Sequence, residues 1–247
     1  MRRVERLDIP AAVVRYLDRR QLRADTERAA GTLDIEKTWK NARQTQKLGL
    51  VKQQLQQMAG GRQRCMYCSD SAGTDIEHFW PKSVYPERMF RWPNMLLCCT
   101  GCGRDCKGSQ FPLVNGQPAL LNPTVDDPWE FLDFSPATGI LFARMAPDGS
   151  TTMMGTETER VFQFAKRDAV TLGYQRSFRR IRKVIATAVD DPAIDPAVFI
   201  SDLRDADEHG ILGWCFRGAG INEPPMTTLR QARPAVWAAC VTAFKNY

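Results

Sequence analysis

The chain has 247 residues, and its 34 basic and 28 acidic side chains give a formal net charge of +6. Its hydrophobic content of 43% and charged content of 25% are those of a globular protein with enough apolar side chains for a core. No apolar run approaches the roughly 20 residues that cross a bilayer, and no apolar stretch follows the basic start, so we expect neither a membrane protein nor an exported one. The positive charge is compatible with a nucleic-acid partner but does not require one.

Helices are predicted before the cysteine-rich centre of the chain. One helix is predicted over residues 10–30, where a glycine follows, and a second over residues 34–59, which ends at two glycines. In the second helix Leu48, Val51 and Leu55 recur at helical spacing. We interpret it as a packing helix beside the centre of the chain, with a partner-binding helix as the alternative.

The centre of the chain predicts short strands and a short helix. Residues 74–79 favour a strand, residues 92–97 a second strand or an extended segment, and residues 104–108 the start of a helix. Two prolines between the strands predict an irregular loop there. Further on, residues 137–139 are predicted to form the turn of a hairpin.

The last part of the chain is predicted to be mainly helical. A long helix is expected over residues 156–188, with a possible break near Gly173, and further helices over residues 196–207 and 231–244. We therefore predict an α+β fold in three segments. These are an N-terminal helical segment (1–61), a central core with the hairpin (62–148) and a C-terminal helical region (149–247).

The cysteines predict a structural metal site. Six of the eight cysteines lie between residues 65 and 112, and four of them form two C-x-x-C pairs 30 residues apart, at Cys65, Cys68, Cys99 and Cys102. This spacing is typical of a four-thiolate Zn²⁺ site. Clustered cysteines without an export signal favour metal binding in a reducing cytoplasm over disulfides. Cys98 and Cys106 lie beside the second pair and are alternative ligands.

An acid and a histidine between the two cysteine pairs indicate hydrolytic chemistry. His78 is one of only two histidines, and it directly follows Glu77. A neutral imidazole can accept a proton from water while a neighbouring carboxylate binds a divalent ion, which suits cleavage of a phosphodiester. Neighbouring residues of a regular strand point to opposite faces. Both side chains can therefore serve one site only where the strand ends or is distorted, which Pro81 favours.

Four segments carry a resemblance to a known family. They read C-M-Y-C, I-E-H-F-W-P-K-S, W-P-N-M-L-L-C-C-T-G-C and K-G-S-Q-F-P, in this order. Together they resemble the HNH nuclease family with its ββα-metal fold. More narrowly, I-E-H-F-x-P-K-S followed by L-L-N-P resembles the HNH subunit of Septu-type antiphage systems, including those linked to retrons. The resemblance is close over residues 62–135 and holds only in outline elsewhere. It implies a zinc-stapled ββα-metal core with helical flanks.

The resemblance implies a role for each matched residue. His78 resembles the general base that activates water. Glu77 stands where the family usually has an aspartate and resembles a ligand of the catalytic ion. Asn94 resembles the asparagine that orients the loop carrying the base.

The third catalytic position departs from the family. Many relatives have C-N-x-x-K-G, or histidines just before K-G, whereas this chain reads C-G-R-D-C-K-G. We choose Asp105 as the second protein ligand of the catalytic ion, because a carboxylate suits Mg²⁺ or Mn²⁺. Arg104, Lys107 and Lys82 are predicted to contact nucleic-acid phosphates.

The resemblance implies a metal-dependent endonuclease with a structural Zn²⁺ and a catalytic Mg²⁺ or Mn²⁺. DNA is the favoured substrate, and the expected setting is an antiphage defence complex with an ABC-type or SMC-like ATPase partner. Two alternatives stay open. One is an HNH effector that cleaves RNA, such as tRNA, and the other is a catalytically silent zinc-stapled module that binds nucleic acid or a partner. We expect no membrane partner, and little or no activity from the isolated subunit.

Overall fold

The computed structural model describes residues 1–245 and 247, and it combines helices with small antiparallel sheets. This confirms the predicted α+β class. None of the helices in the described part of the chain is long and apolar enough to cross a membrane. The chain divides into two compact units, one of Glu5–Met66 and Ala72–Pro112, the other of Met1–Val4, Tyr67–Ser71 and Leu113–Tyr247.

The first unit begins with three helices, α1 (Ala11–Ala29), α2 (Ile35–Arg43) and α3 (Gln46–Met58). The prediction of one helix over 34–59 is therefore wrong. The Thr45 hydroxyl accepts a hydrogen bond from the backbone N–H of Leu48, so Thr45 caps a new helix within the predicted one.

The interpretation of α3 as a packing helix is confirmed. Leu48, Val51 and Leu55 are buried, and α3 packs against the second of two paired strands. All four residues of that strand are buried too. The helix therefore covers one face of the small sheet with an apolar stripe.

The two strands lie where the sequence predicts them. Strand β1 (Asp75–His78) pairs antiparallel with β2 (Met95–Cys98), and His78 lies opposite Met95 at the end of the pairing. A single turn of 3₁₀ helix (Trp92–Asn94) precedes β2. The predicted short helix is present as a π-helix (Gly101–Lys107), in which the N–H of Gly108 donates to the carbonyl of Gly103.

The second unit starts with short elements and a hairpin. These are β3 (Leu113–Val114), β4 (Gln117–Pro118), α4 (Pro128–Phe131), β5 (Leu132–Phe134) and β6 (Leu141–Ala143). The hairpin of β5 and β6 is the one predicted around residues 137–139. Its turn requires Gly139, because φ there is +77° and a Cβ atom would meet the carbonyl of Thr171.

The rest of the second unit is helical, as predicted. Its helices are α5 (Met153–Phe162), α6 (Asp168–Asp190), α7 (Pro196–Ala206), α8 (Leu212–Phe216), α9 (Met226–Ala232) and α10 (Pro234–Ala243). The long helix expected over 156–188 is interrupted, but not at Gly173. Gln163 adopts a left-handed conformation with φ +46°, which ends α5 before α6 begins.

A buried glutamine on α1 positions the loop that connects β1 to the 3₁₀ turn, which we call the 79–91 loop. Gln21 is 1% exposed. Its Nε2 donates to the carbonyl of Pro86 at 2.9 Å, and its Oε1 accepts from the N–H of Phe90 at 2.7 Å. One side chain thereby satisfies two buried backbone groups of the loop.

Replacing Gln21 by leucine is expected to destabilise the protein by about 2–4 kcal/mol, because a buried carbonyl and a buried N–H lose their partners. Urea unfolding measures the change. Gln53→Leu is the matched control: Gln53 is exposed on α3, so the same substitution there should change stability by less than about 0.5 kcal/mol. Equal effects of the two substitutions would contradict the role given to Gln21.

Candidate active site and metal centre

Four cysteines form the group that the sequence predicted as a zinc site. The Sγ atoms of Cys65, Cys68, Cys99 and Cys102 all lie within 4.8 Å of one another, and all four side chains are buried. A tetrahedral four-thiolate ion with bonds of about 2.3 Å places its sulfur atoms about 3.8 Å apart, so only a small contraction is needed. The donors are all sulfur, which suits Zn²⁺. The four residues can therefore hold a structural zinc ion.

The two alternative cysteines lie outside this group. Cys98 Sγ is 3.7 Å from Cys65 Sγ and 3.3 Å from the carbonyl oxygen of Cys99, which makes it a buried neighbour of the four. A hydrogen bond with Cys102 lowers the pKa of Cys98, but hydrogen bonds with Cys65 and Cys99 together with burial raise it well above its usual value. Cys106 is half-buried. The geometry favours the two C-x-x-C pairs over either alternative.

A cleft of about 770 Å³ lies in the first unit and contains the predicted catalytic pair. Its walls come from β1, from α2 and α3, and from the π-helix. Glu77 and His78 both line it, although they are consecutive in the sequence. His78 is the last residue of β1, where the strict alternation of a regular strand ends, which allows both residues to line one cleft.

His78 is held as a neutral imidazole. It is 4% exposed, and Trp39 contacts its ring edge-on with centroids 4.4 Å apart. Its Nε2 lies 2.9 Å from the carbonyl oxygen of Met89. A carbonyl can only accept, so Nε2 carries the hydrogen and Nδ1 is left as the proton acceptor. Burial, together with the positive charges of Lys82 and Lys107, lowers the pKa of His78 to about 3, although the hydrogen bond with the Met89 carbonyl opposes the shift.

Glu77 is paired with a buried lysine. The Lys107 ammonium group is 0% exposed, and it donates to Glu77 Oε1 at 3.0 Å and to the carbonyl oxygen of His78 at 2.8 Å. Burial raises the pKa of Glu77, and the charge and hydrogen bond of Lys107 oppose that rise. Lys107 was predicted to contact phosphate. In this conformation its ammonium group instead faces inward and organises the two catalytic candidates.

Asn94 ties the 79–91 loop together. Its Oδ1 accepts from the N–H of Trp80 at 2.7 Å, and its Nδ2 donates to the carbonyls of Trp80 at 3.0 Å and Arg88 at 2.9 Å. The same loop contains Met89, whose carbonyl fixes the His78 ring. The role predicted for Asn94, orienting the loop around the base, requires contacts of this kind and awaits a measurement of cleavage.

Gly103, where many relatives have an asparagine, supplies no side chain at the third catalytic position. A Cβ atom on Gly103 would lie 2.9 Å from Glu77 Oε2, which is closer than a Cβ normally approaches, so glycine leaves the space that the Glu77 carboxylate occupies. Asp105, our choice for the second ligand, is exposed and is not among the residues that line the cleft. Asp75 does line it. It lies two residues before Glu77 on β1 and therefore on the same face, a spacing that sequence reasoning overlooked.

The remaining basic candidates lie at the cleft. Lys82 forms an ion pair with Glu36 at 2.5 Å, and Arg104 forms one with Asp75 at 3.5 Å. Two further basic residues line the cleft that the sequence did not single out, Arg43 at the end of α2 and Lys52 on α3. Helical spacing alone could not have identified them, because the cleft exists only once these helices face β1.

The second histidine belongs to a structural network in the other unit. His209 Nδ1 lies 2.7 Å from Ser177 Oγ, and its Nε2 lies 3.1 Å from Asp70 Oδ1. The order of groups is that of a serine-hydrolase triad, but Ser177 is fully buried within α6. A substrate cannot reach it, so we assign these contacts to stability.

Elemental analysis should find about one zinc ion per chain after gel filtration, because a buried four-thiolate site binds zinc tightly. Cys99→Ser is expected to lose most of the metal and to lower the unfolding temperature. Cys106→Ser is the matched control and should keep the metal, because Cys106 lies outside the four-cysteine group. Metal loss in the Cys106 variant alone would reverse the ligand assignment.

The protein is expected to become less stable as the pH decreases, because His78 is neutral in the folded state. Its pKa is about 3 when folded and 6.5 in the reference state, so the unfolded chain takes up the proton first. The contribution of neutral His78 to the free energy of unfolding is complete above the pKa of the unfolded chain. It is lost as the pH falls toward the pKa of the folded protein, at up to about 1.4 kcal/mol per pH unit. Urea unfolding of wild type and His78→Gln, without added Mg²⁺ or Mn²⁺, measures this. The difference between them should be constant above pH ~7 and shrink below pH ~6; a constant difference throughout would contradict the assignment.

Comparison with known proteins gives partial matches. No protein-family model matches the chain. A Septu protein PtuB from Bacillus thuringiensis is 33% identical over 70 residues, which are 26% of this chain and 26% of that protein. A Septu protein PtuB from Bacillus mycoides (strain KBAB4) is 33% identical over 121 residues, which are 37% of this chain and 40% of that protein. The chain thus matches less than half the length of either relative, and the similarity supports a link to Septu proteins.

Proposed function

We propose that the chain is a metal-dependent endonuclease of the HNH type that hydrolyses phosphodiester bonds, with DNA as the favoured substrate. The observation that carries the proposal is the state of His78. Its imidazole is neutral, a backbone carbonyl fixes which nitrogen is free, and it lines a cleft beside the Glu77 carboxylate. A base in this form is suited to taking a proton from water.

The proposed reaction adds water across a P–O bond. His78 Nδ1 takes a proton from the attacking water, the water oxygen bonds to phosphorus, and the leaving oxygen receives a proton from solvent. With a pKa of about 3, His78 is a weak base in the empty cleft. Burial is the main cause of this low pKa and the lysine charges add to it, whereas a bound phosphodiester carries negative charge that opposes both. Substrate binding would therefore raise the pKa of His78 toward neutral pH.

The cleft contains carboxylates of the type that hold a hard divalent ion, and in this structure each of them is paired with a basic residue. Glu36, Asp75 and Glu77 line the cleft and offer oxygen donors, which Mg²⁺ and Mn²⁺ prefer. When bound, such an ion stabilises the negative charge that develops on the phosphate. Glu77 is the proposed first ligand. Asp105 remains our prediction from the sequence for the second, and Asp75 is the alternative that the geometry of β1 supports.

We further propose that the chain acts in an antiphage defence complex with an ATPase subunit. The support is the Septu-like motif set around Glu77 and His78, together with the partial identity to two Septu proteins. We also expect cleavage to depend on this partner, which agrees with the low pKa of His78. A partner that helps the substrate to bind would bring the negative charge of its phosphates into the cleft.

A silent binding module is the second candidate, and two observations favour it. The third catalytic position is Gly103, which supplies no ligand, and the Lys107 ammonium already neutralises Glu77. A chain of this kind would bind nucleic acid through the same cleft and release no products.

Cleavage of supercoiled plasmid and of bulk tRNA tests the proposal, in Mg²⁺ and in Mn²⁺, with and without the candidate ATPase. His78→Ala is expected to lower cleavage at least about 100-fold, the usual effect of losing a general base, while zinc content and the folded structure are retained. Cleavage of tRNA, without cleavage of plasmid, would identify RNA as the substrate. Undiminished cleavage by His78→Ala would contradict the nuclease assignment. Binding of nucleic acid without cleavage products would support the silent module.

Asp75→Asn and Asp105→Asn are the matched pair that identifies the second ligand. The variant that removes a ligand should need a higher metal concentration for half-maximal cleavage, whereas the other should behave as wild type. A shift confined to Asp105→Asn would uphold the choice made from the sequence.

A further inference from the structure

We propose that the helical wall of the cleft, formed by Arg43, Gly49 and Lys52, is a docking track for the sugar-phosphate backbone of the substrate. The inference rests on the proposed function for the identity of the ligand, a phosphodiester chain. It assigns to α2 and α3 a binding role beyond packing.

The charges of the cleft are the first support. Of the cations that line it, Lys82 and Arg104 are compensated by Glu36 and Asp75. Within residues 1–245 and 247, the side chains of Arg43 and Lys52 form neither an ion pair nor a hydrogen bond. Arg43 is exposed and Lys52 half-buried. The uncompensated positive charge of the cleft therefore lies on α2 and α3, at Arg43 and Lys52, and such charge attracts a polyanion.

Gly49 is the second support and is independent of charge. It lies inside α3, where glycine is among the least favourable residues because it loses the most conformational freedom. Packing does not explain it, since a Cβ atom at this position would meet nothing within 4 Å. The space above it is the cleft. A bare stretch of helix surface facing a cleft gives room for the close approach of another backbone.

The positions of the three residues fit one track. Gly49 and Lys52 are three residues apart, so they share a face of α3. The neighbouring stripe of that helix, which contains Leu48 and Val51, is buried in the core and fixes its rotation. Arg43 is the last residue of α2, one short turn before α3 begins. The buried stripe thus holds Gly49 and Lys52 toward the cleft that Glu77 and His78 also line.

Binding of the full-length chain to fluorescent 20-bp DNA and 20-nt RNA tests the track, at several salt concentrations and without added Mg²⁺ or Mn²⁺. Arg43→Gln and Lys52→Gln are each expected to weaken binding several-fold, and each should lower the slope of log affinity against log salt for duplex DNA by about 0.9. Lys40→Gln and Lys47→Gln are the matched controls, because they remove the same charge from the same helices but do not line the cleft. They should bind within about twofold of wild type.

Gly49→Gln separates binding from stability. Glutamine is a much better helix former than glycine, and its Cβ atom would meet no neighbour here, so the urea midpoint should rise. Its side chain would occupy the track, so binding should weaken. A variant that is more stable yet binds worse cannot be explained by misfolding.

The outcomes separate this inference from the proposed function. Dependence on Arg43, Lys52 and Gly49 with either probe supports the track, and the probe that responds identifies the nucleic acid. Equal effects of the cleft and control variants, or no binding of either probe, would overturn the track. If binding depends on the track while His78→Ala leaves cleavage unchanged, the nuclease proposal fails and the track stands. If cleavage depends on His78 but the cleft variants match the controls, the track fails and the nuclease proposal stands.

Discussion

The arrangement of the candidate active site depends on the burial of one positive charge. The ammonium group of Lys107 is withdrawn from solvent, and a buried charge without partners costs several kcal/mol. Glu77 and the carbonyl oxygen of His78 are the two acceptors that compensate it. The π-helix that carries Lys107 is thereby tied to β1 at the two residues proposed to perform the chemistry. Catalytic geometry and the fold of this unit therefore depend on the same contacts.

A second set of contacts fixes the other side of His78. The 79–91 loop has little regular structure, yet its backbone groups are satisfied by Asn94 from one direction and by Gln21 on α1 from another. The carbonyl of Met89 is consequently held at hydrogen-bonding distance from the imidazole. A backbone acceptor does not titrate, so it selects one tautomer of His78 over a wide pH range. Distant side chains thus determine which nitrogen can act as a base.

In the proposed function, the two sides of the cleft have different roles. The side formed by β1, the 79–91 loop and the π-helix carries His78, Asp75 and Glu77, and its cations are neutralised by ion pairs, one of them with Glu36 on α2. The helical wall carries the unpaired cations Arg43 and Lys52 and a glycine without steric neighbours. The uncompensated positive charge therefore lies in the same cleft as the proposed reacting groups, which suits a polyanion bound there.

The sequence by itself determined the α+β class, the paired strands, the hairpin and the four-cysteine group, because alternation, turn residues and ligand spacing are local properties of the chain. It missed the helix breaks at Thr45 and Gln163, since a capping hydroxyl and a left-handed residue interrupt an otherwise helical pattern. Only the tertiary structure turned Lys107 inward, left Asp105 outside the cleft lining, and placed Asp75, Arg43 and Lys52 within it. Those outcomes depend on which elements face one another, and burial and charge compensation between distant segments decide that.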